Sequence, residues 1–234
     1  MYIIMAILGF SLLIIVHELG HFIMAKVNGI KVEEFSIGMG PEIFSKKGKE
    51  TQYSLRLFPI GGYVKMLGEE EVSDDERSFS SKSPLRRITV ILAGVTMNII
   101  FAIVAFSIII SNRGYTEARI SKLEPNTPAI ESGLQVGDKI LAIDGSRVFT
   151  TTDVSMGIQL SKGKTVDLLV NRNGKKENIK VTPRLVDKDG TQVYQVGFYY
   201  TPVENPTVLE SIKESFNETI SLVTQTYKSL KMMV

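Results

Sequence analysis

The sequence predicts a membrane α-helical protein with an inserted, mostly-β domain. Three observations predict it: two long apolar stretches, a basic and glycine-rich segment between them, and a later run of short strand-like stretches punctuated by turn signals. The chain has 234 residues, enough for one large domain or two modest ones. A formal net charge of +2 is too small to argue for a nucleic-acid partner, and none is expected. There are no cysteines, which excludes disulfides and a thiolate metal site.

The first apolar stretch covers residues 1–25, within a first segment of 1–27. Its only charged or imidazole side chains are His17, Glu18 and His21. A helix rises about 1.5 Å per residue, so this stretch is long enough for a hydrocarbon core of about 30 Å. No Lys or Arg precedes Lys26, and a His-Glu pair sits where a signal peptide is purely apolar. An uncleaved span is therefore expected rather than a signal peptide. The second stretch, residues 88–110, carries no charge and is flanked by Arg86, Arg87 and Arg113, which predicts a second span over 86–112. Between the spans lie Lys26, Lys31, Lys46, Lys47, Lys49, Arg56, Lys65, Arg77, Lys82, Arg86 and Arg87, and no basic residue lies before the first. The excess of Lys and Arg puts residues 28–85 in the cytoplasm, and the N-terminus and everything after Arg113 outside.

Within the connecting segment, residues 53–57 alternate apolar and polar, the period of a strand, and 35–41 is a second candidate. Residues 69–83 read as a polar, acidic loop. From 115 to 200 the pattern becomes short strands and turns. Strands are expected at 118–123, 139–143, 165–172 and 177–182, with a helix over 152–161. Asp144-Gly145, Asn173-Gly174 and Asp189-Gly190 are hairpin turn signals. Residues 206–234 read as one helix, with Leu209, Ile212, Phe216, Ile220, Val223, Tyr227 and Leu230 recurring at spacings of three and four. The stripe admits two readings: a surface helix packed on the β domain, or a helix lying on a membrane or leading into a third span.

The run His17-Glu18-Leu19-Gly20-His21 is the strongest chemical signal. On a helix, residues i and i+4 share a face. Two imidazoles so spaced can chelate one Zn²⁺, leaving Glu18 beside it as the general base on water. Three ionisable groups within an apolar span are costly unless they serve a function, about 2.5–3.5 kcal/mol each on the mildest scale. Asn98, four residues after Gly94 in the second span, is a polar group that needs a partner there. It could equally be the amide of a small-residue helix contact.

These residues, with Glu34-Phe-Ser-Ile-Gly-Met-Gly40 and Pro59-Ile-Gly-Gly-Tyr-Val-Lys-Met-Leu67, resemble the site-2 protease family, in its bacterial regulator-of-sigma-E protease (RseP-like) branch. Phe79, Lys82, Arg87, Ala93-Gly94 and Asn98 match in spacing, and the resemblance covers essentially the whole chain. It implies a zinc-dependent intramembrane metalloprotease with His17 and His21 as metal ligands and Glu18 as the catalytic residue. Its substrates would be single-span membrane proteins, such as anti-sigma factors or signal-peptide remnants, within the lipid bilayer of a bacterial inner membrane. It also implies that 115–200 is an extracytoplasmic PDZ domain receiving a peptide or a substrate ectodomain. Residues 128–145 are similar to the segment that bacterial protease PDZ domains share. Residues 53–68 look like the family's membrane-associated β-loop, where Gly61 and Gly62 would let a substrate backbone approach. By resemblance Asn98 lies near the active site, contacting substrate. The family often has Pro after the glycine at position 94, and here it is Val95.

Catalytic zinc usually takes three protein ligands. With no cysteine and no other histidine, the third must be Asp or Glu, and the resemblance calls for an Asp-Gly pair in a later apolar helix. Asp144-Gly145 and Asp189-Gly190 are explained as turns. The third ligand, and further spans, are therefore expected beyond Val234. The rival from a different class is a non-catalytic, membrane-anchored PDZ adaptor.

Overall fold

The computed structural model describes residues 2–71, 73–188 and 190–233. The chain divides into two compact units, one running to Ala102 and the other from Ile103 onward.

The first unit holds α1 (Tyr2–Val27), β1 (Val32–Lys47), β2 (Gln52–Met66) and the first part of α2 (Pro84–Arg113). Both helices are long and apolar enough to cross a membrane, and only 11% and 17% of their most apolar stretches are buried within the protein. That separates them from the core helices of a soluble protein, whose apolar faces are covered. α1 ends where Gly29, at φ 65°, takes the left-handed conformation usual past a helix C-terminus. α2 starts at Pro84, a position where the missing N–H costs nothing. Glu50 joins the two ends of this region. It accepts from Lys26 at 2.5 Å and also from Arg77. These two hydrogen bonds push its carboxyl down to about 2.

The strands expected at 35–41 and 53–57 are the middle of one far longer, bent strand and the start of another. Val32–Ile37 is paired on one side with 62–66 and on the other with 52–55. The outer half of β1, residues 42–47, then pairs with 52–56. Two chain segments thus make a small four-strand sheet with 62–66 at one edge. Alternation over five residues reveals none of this, because the fold-back depends on Gly38 at φ 85° and Gly61 at φ 92°. A Cβ on Gly38 would come 2.6 Å from the Phe58 carbonyl oxygen. Arg56 fixes the bend, donating to Glu34 Oε1 (2.9 Å), Ser36 Oγ (3.0 Å), Gly40 O (2.9 Å) and Tyr63 Oη (2.7 Å).

The second unit is built on an antiparallel sheet in the order β10 (Phe198–Val203), β3 (Tyr115–Leu123), β4 (Lys139–Ile143), β6 (Val166–Arg172), β7 (Lys175–Val181). The two-residue β5 (Ser146–Arg147) pairs with β4. α3 (Pro128–Glu131) and α4 (Thr151–Leu160) complete the domain, and β8 (Arg184–Lys188) with β9 (Thr191–Gln195) forms a separate hairpin. Alternate residues of β6, Val166, Leu168 and Val170, are fully buried with Ile120, Ile140 and Val154. Asp144-Gly145 and Asn173-Gly174 have positive φ at both residues, the geometry a two-residue hairpin turn requires. In the Asp189-Gly190 signal, Asp189 lies outside the described residues, and Gly190 has φ 80°.

α5 (Val208–Met233) packs on the β domain, as one reading of the C-terminal segment has it, but not through the apolar stripe. Its apolar side does not pack on the β domain: Leu209 is 76% and Tyr227 67% exposed, while Ser211, Ser215 and Ser221 are buried. The packed side is made of small polar residues. Ser221 Oγ meets Thr150 Oγ1 at 3.0 Å and donates to Asp153 Oδ1 at 2.7 Å, and Ser107 Oγ donates to Ser215 Oγ at 2.9 Å. Periodicity identifies a stripe but not which side of the helix is covered.

Asp138 is 1% exposed and accepts two hydrogen bonds from Arg172, at 2.9 and 2.7 Å, and one from the Gln135 N–H at 2.9 Å. Burial alone raises its carboxyl, but the Arg172 hydrogen bonds, the Gln135 N–H and the Arg172 charge outweigh it and hold the group below its usual 3.8. A depressed folded value contributes stability above about 3.8 that is lost as pH falls through the folded value. The protection of amides in β4 and β6 of the wild-type protein, taken relative to the intrinsic exchange rate at each pH, should therefore fall below that pH. Asp138→Asn should lose about 1.5–3 kcal/mol of protection at neutral pH, the value of a hydrogen bond to a charged group. Equal protection in both proteins would show that the pair does not support the sheet.

Candidate metal centre

α1 carries His17 and His21 one turn apart on the side facing α2. The helices approach closely at this level. A Cβ on Gly20 would lie 2.5 Å from the Ala93 carbonyl oxygen, so glycine at 20 is what admits α2. Facing the two histidines, α2 presents Val90, Gly94 and Asn98, each a turn from the next.

The imidazoles meet through their Nε2 atoms, 3.1 Å apart. Nitrogens bound to one tetrahedral zinc, each about 2.0–2.1 Å from it, lie about 3.3 Å apart. His21 Nδ1 is 2.8 Å from the Val90 carbonyl oxygen, which can only accept. His21 Nδ1 therefore donates, which in the neutral ring leaves Nε2 with the lone pair that a metal ligand requires. The space in front of both Nε2 atoms exists because residue 94 is glycine: a Cβ there would sit 2.5 Å from His17 Nε2 and 2.6 Å from His21 Nε2. The donor set and this cradle fit a zinc ion. Among the described residues, no cluster of three or more His, Cys, Asp or Glu side chains is gathered to hold a metal. Of such a set, His17 and His21 offer two nitrogen donors.

Glu18 opens into a cleft of about 410 Å³ that it lines with His21, Tyr63, Val64, Glu69 and Val90. One wall is the edge strand 62–66. The Val64 N–H points at the Glu18 carboxylate, and a Cβ on Gly62 would meet Glu18 Cγ at 3.6 Å. Gly61 is further off, against Met39. The hairpin is also fastened to α1 six residues before His17, where Ser11 Oγ donates to the Pro59 carbonyl. At 1.5 Å per residue that is about 9 Å along the apolar helix. Met39, Phe44, Leu57, Phe58 and Ile60 of the hairpin are exposed.

Of the residues singled out from sequence, His17, Glu18, His21 and Gly62 come together. Asn98 stands behind His17, its amide 3.3 Å from Nδ1, and is not part of the cleft wall. Sequence reasoning missed the Val90 carbonyl, the Val64 N–H, the cradle at Gly94 and Glu69. Burial raises the Glu69 carboxyl above the usual range, more than the Met66 N–H and the His21 charge lower it. Only Gly94 left a signal, through its four-residue spacing from Asn98. The other contacts are backbone groups, or an acid in a run of acids.

The profile of Peptidase family M50 matches residues 5–234. A protein of Clostridium perfringens, provisionally named a zinc metalloprotease, is 50% identical over all of this chain and 69% of its own length. One from Clostridium acetobutylicum, with the same provisional name, is 44% identical over 99% of this chain and 68% of its own. Among solved structures, the PDZ domain of the SdrC-like protein of Listeria innocua is similar over 38% of this chain and 99% of its own, at 21% identity and a TM-score of 0.33.

Gly94→Ala tests the cradle. Alanine favours the helix by about 0.8–1.0 kcal/mol, so α2 should form as before, while the methyl group enters the space between the two Nε2 atoms. The variant should lose zinc, measured by metal content after purification. Full zinc content would mean that the metal is held elsewhere.

Proposed function

The chain belongs to Peptidase family M50, and on that premise we propose that it is a zinc-dependent intramembrane protease cutting the spans of single-span membrane proteins. The observation that carries this reading is the pair of Nε2 atoms 3.1 Å apart before the Gly94 cradle, with Glu18 alongside. His17 and His21 would hold the zinc, and a carboxylate would complete the set. Bound zinc supplies the Lewis acidity that brings the pKa of water to about 7.

The chain's own groups account for the rest. Glu18 takes the proton of the attacking water and returns it to the leaving amine nitrogen. The Val64 N–H orients that carboxylate. A helical substrate hides its amides in its own hydrogen bonds and must be unwound before attack. The edge strand 62–66 offers the unwound segment backbone partners, as in strand addition, and the absence of side chains at Gly61 and Gly62 allows it close. The exposed apolar tip of the hairpin, tied to α1 at Ser11, supports its immersion in the same apolar layer as the helix.

The basic residues between the spans support a cytoplasmic hairpin and an extracytoplasmic β domain in a bacterial inner membrane. Residues 115–200 would act there as a PDZ domain, taking a peptide or filtering substrate ectodomains. A cysteine at Lys175 should be labelled from outside the cell and one at Asp75 should not. The reverse pattern contradicts this topology.

Glu18→Gln keeps both ligands and removes the base. We expect zinc to stay bound and cleavage of a membrane substrate to fall by at least about 100-fold, the lower range for general-base catalysis. A variant that cleaves normally would put the base elsewhere. A wild-type protein that binds zinc but cuts nothing would favour the membrane-anchored adaptor.

A further inference from the structure

We propose that Asn98 is the positioning residue for His17, its side-chain oxygen accepting from Nδ1–H so that Nε2 faces the Gly94 cradle as a lone pair. The inference rests on the zinc reading above and deepens it. The two histidines are fixed by different means. His21 leans on a backbone carbonyl, which permits one tautomer only. His17 leans on a carboxamide, 3.3 Å from Nδ1, which permits either.

If the amide nitrogen faces Nδ1, it donates. Nδ1 must then accept, the ring proton moves to Nε2, and a proton rather than a lone pair points into the cradle. If the amide oxygen faces Nδ1, the proton stays on Nδ1 and Nε2 is free. The two orientations differ by a half-turn about Cβ–Cγ and fill the same volume. Two observations select the second. Asn98 Oδ1, pointing away from His17, is buried without any donor, which costs about 1–3 kcal/mol. His17 Nδ1–H is the donor that the half-turn brings to it. Moreover, neutral His21 with its proton on Nδ1 presents a lone pair on Nε2, 3.1 Å from His17 Nε2, so a metal shared by both rings needs the matching tautomer at His17.

The polar neighbour of the Asn98 amide is His17 Nδ1, on the side of the ring away from the Gly94 cradle. A mere helix-packing amide leaves the directed 3.3 Å approach to Nδ1 unexplained. Asn98 therefore acts through His17 and touches no reacting atom.

The test uses the full-length protein in detergent, with zinc affinity measured by competition against a chelator. Asn98→Leu keeps the side-chain volume and removes the acceptor. It should weaken zinc by about 10- to 100-fold, the usual effect of losing a partner behind a ligand histidine. Asn98→Asp can only accept, and should hold zinc within a few-fold of wild type or more tightly. The leucine variant binding zinc like wild type would overturn the proposal, as would an aspartate variant as weak as the leucine one. A raised KM with unchanged zinc affinity would assign Asn98 to substrate instead. If wild type itself binds no zinc, the metal reading fails and this inference with it. If wild type binds zinc and the variants follow neither expectation, only this inference fails.

Discussion

Everything at this site depends on how closely α2 passes the two histidines of α1. A helix offers i and i+4 imidazoles to one side, but on a free helix they would meet lipid or solvent and adopt many rotamers. Here Gly20 removes the side chain that would hold α2 away, and Gly94 removes the one that would fill the space between the Nε2 atoms. The Val90 carbonyl and the Asn98 amide then stop the rings from turning. Two glycines and two hydrogen-bond partners convert a sequence spacing into a pocket that fits a metal. An apolar environment strengthens that pocket, since an unpaired imidazole or carboxylate is expensive there.

The hairpin adds the second element, an open strand edge beside the base. A sheet edge is a hazard in most proteins because it recruits other strands. At residues 62–66 the same property would serve a protease whose substrate arrives as a helix. The Arg56 bonds to Glu34, Ser36, Gly40 and Tyr63 keep the strand bent so that its edge lies next to Glu18 rather than pairing along the whole of β1. The Ser11–Pro59 bond ties the same hairpin to the helix that carries the histidines.

Much of this was legible in the sequence. Two apolar stretches gave both long helices to within a few residues, and the pairs Asp144-Gly145 and Asn173-Gly174 gave their hairpins, because these features are local. The His-Glu-x-x-His spacing put both imidazoles on one side of α1 for the same reason. What was not legible is long-range or made by backbone. No pattern announces that the Val90 carbonyl will meet His21, sixty-nine residues away in sequence. Nor could alternation at 53–57 reveal that β1 and β2 each fold back into two strands. The stripe on α5 was visible, but its burial was not: the covered side is Ser211, Ser215 and Ser221, which an argument from hydrophobicity assigns to the surface.

The central claim is that His17 and His21 bind one zinc through Nε2 in the Gly94 cradle. X-ray absorption at the zinc edge of the purified full-length protein tests it most directly. The account predicts two imidazole ligands with Zn–N about 2.0–2.1 Å, oxygen in the remaining positions, and loss of the imidazole signal in a His17→Ala, His21→Ala double variant. A stoichiometric zinc whose spectrum lacks imidazole, or is unchanged by the double substitution, would contradict it.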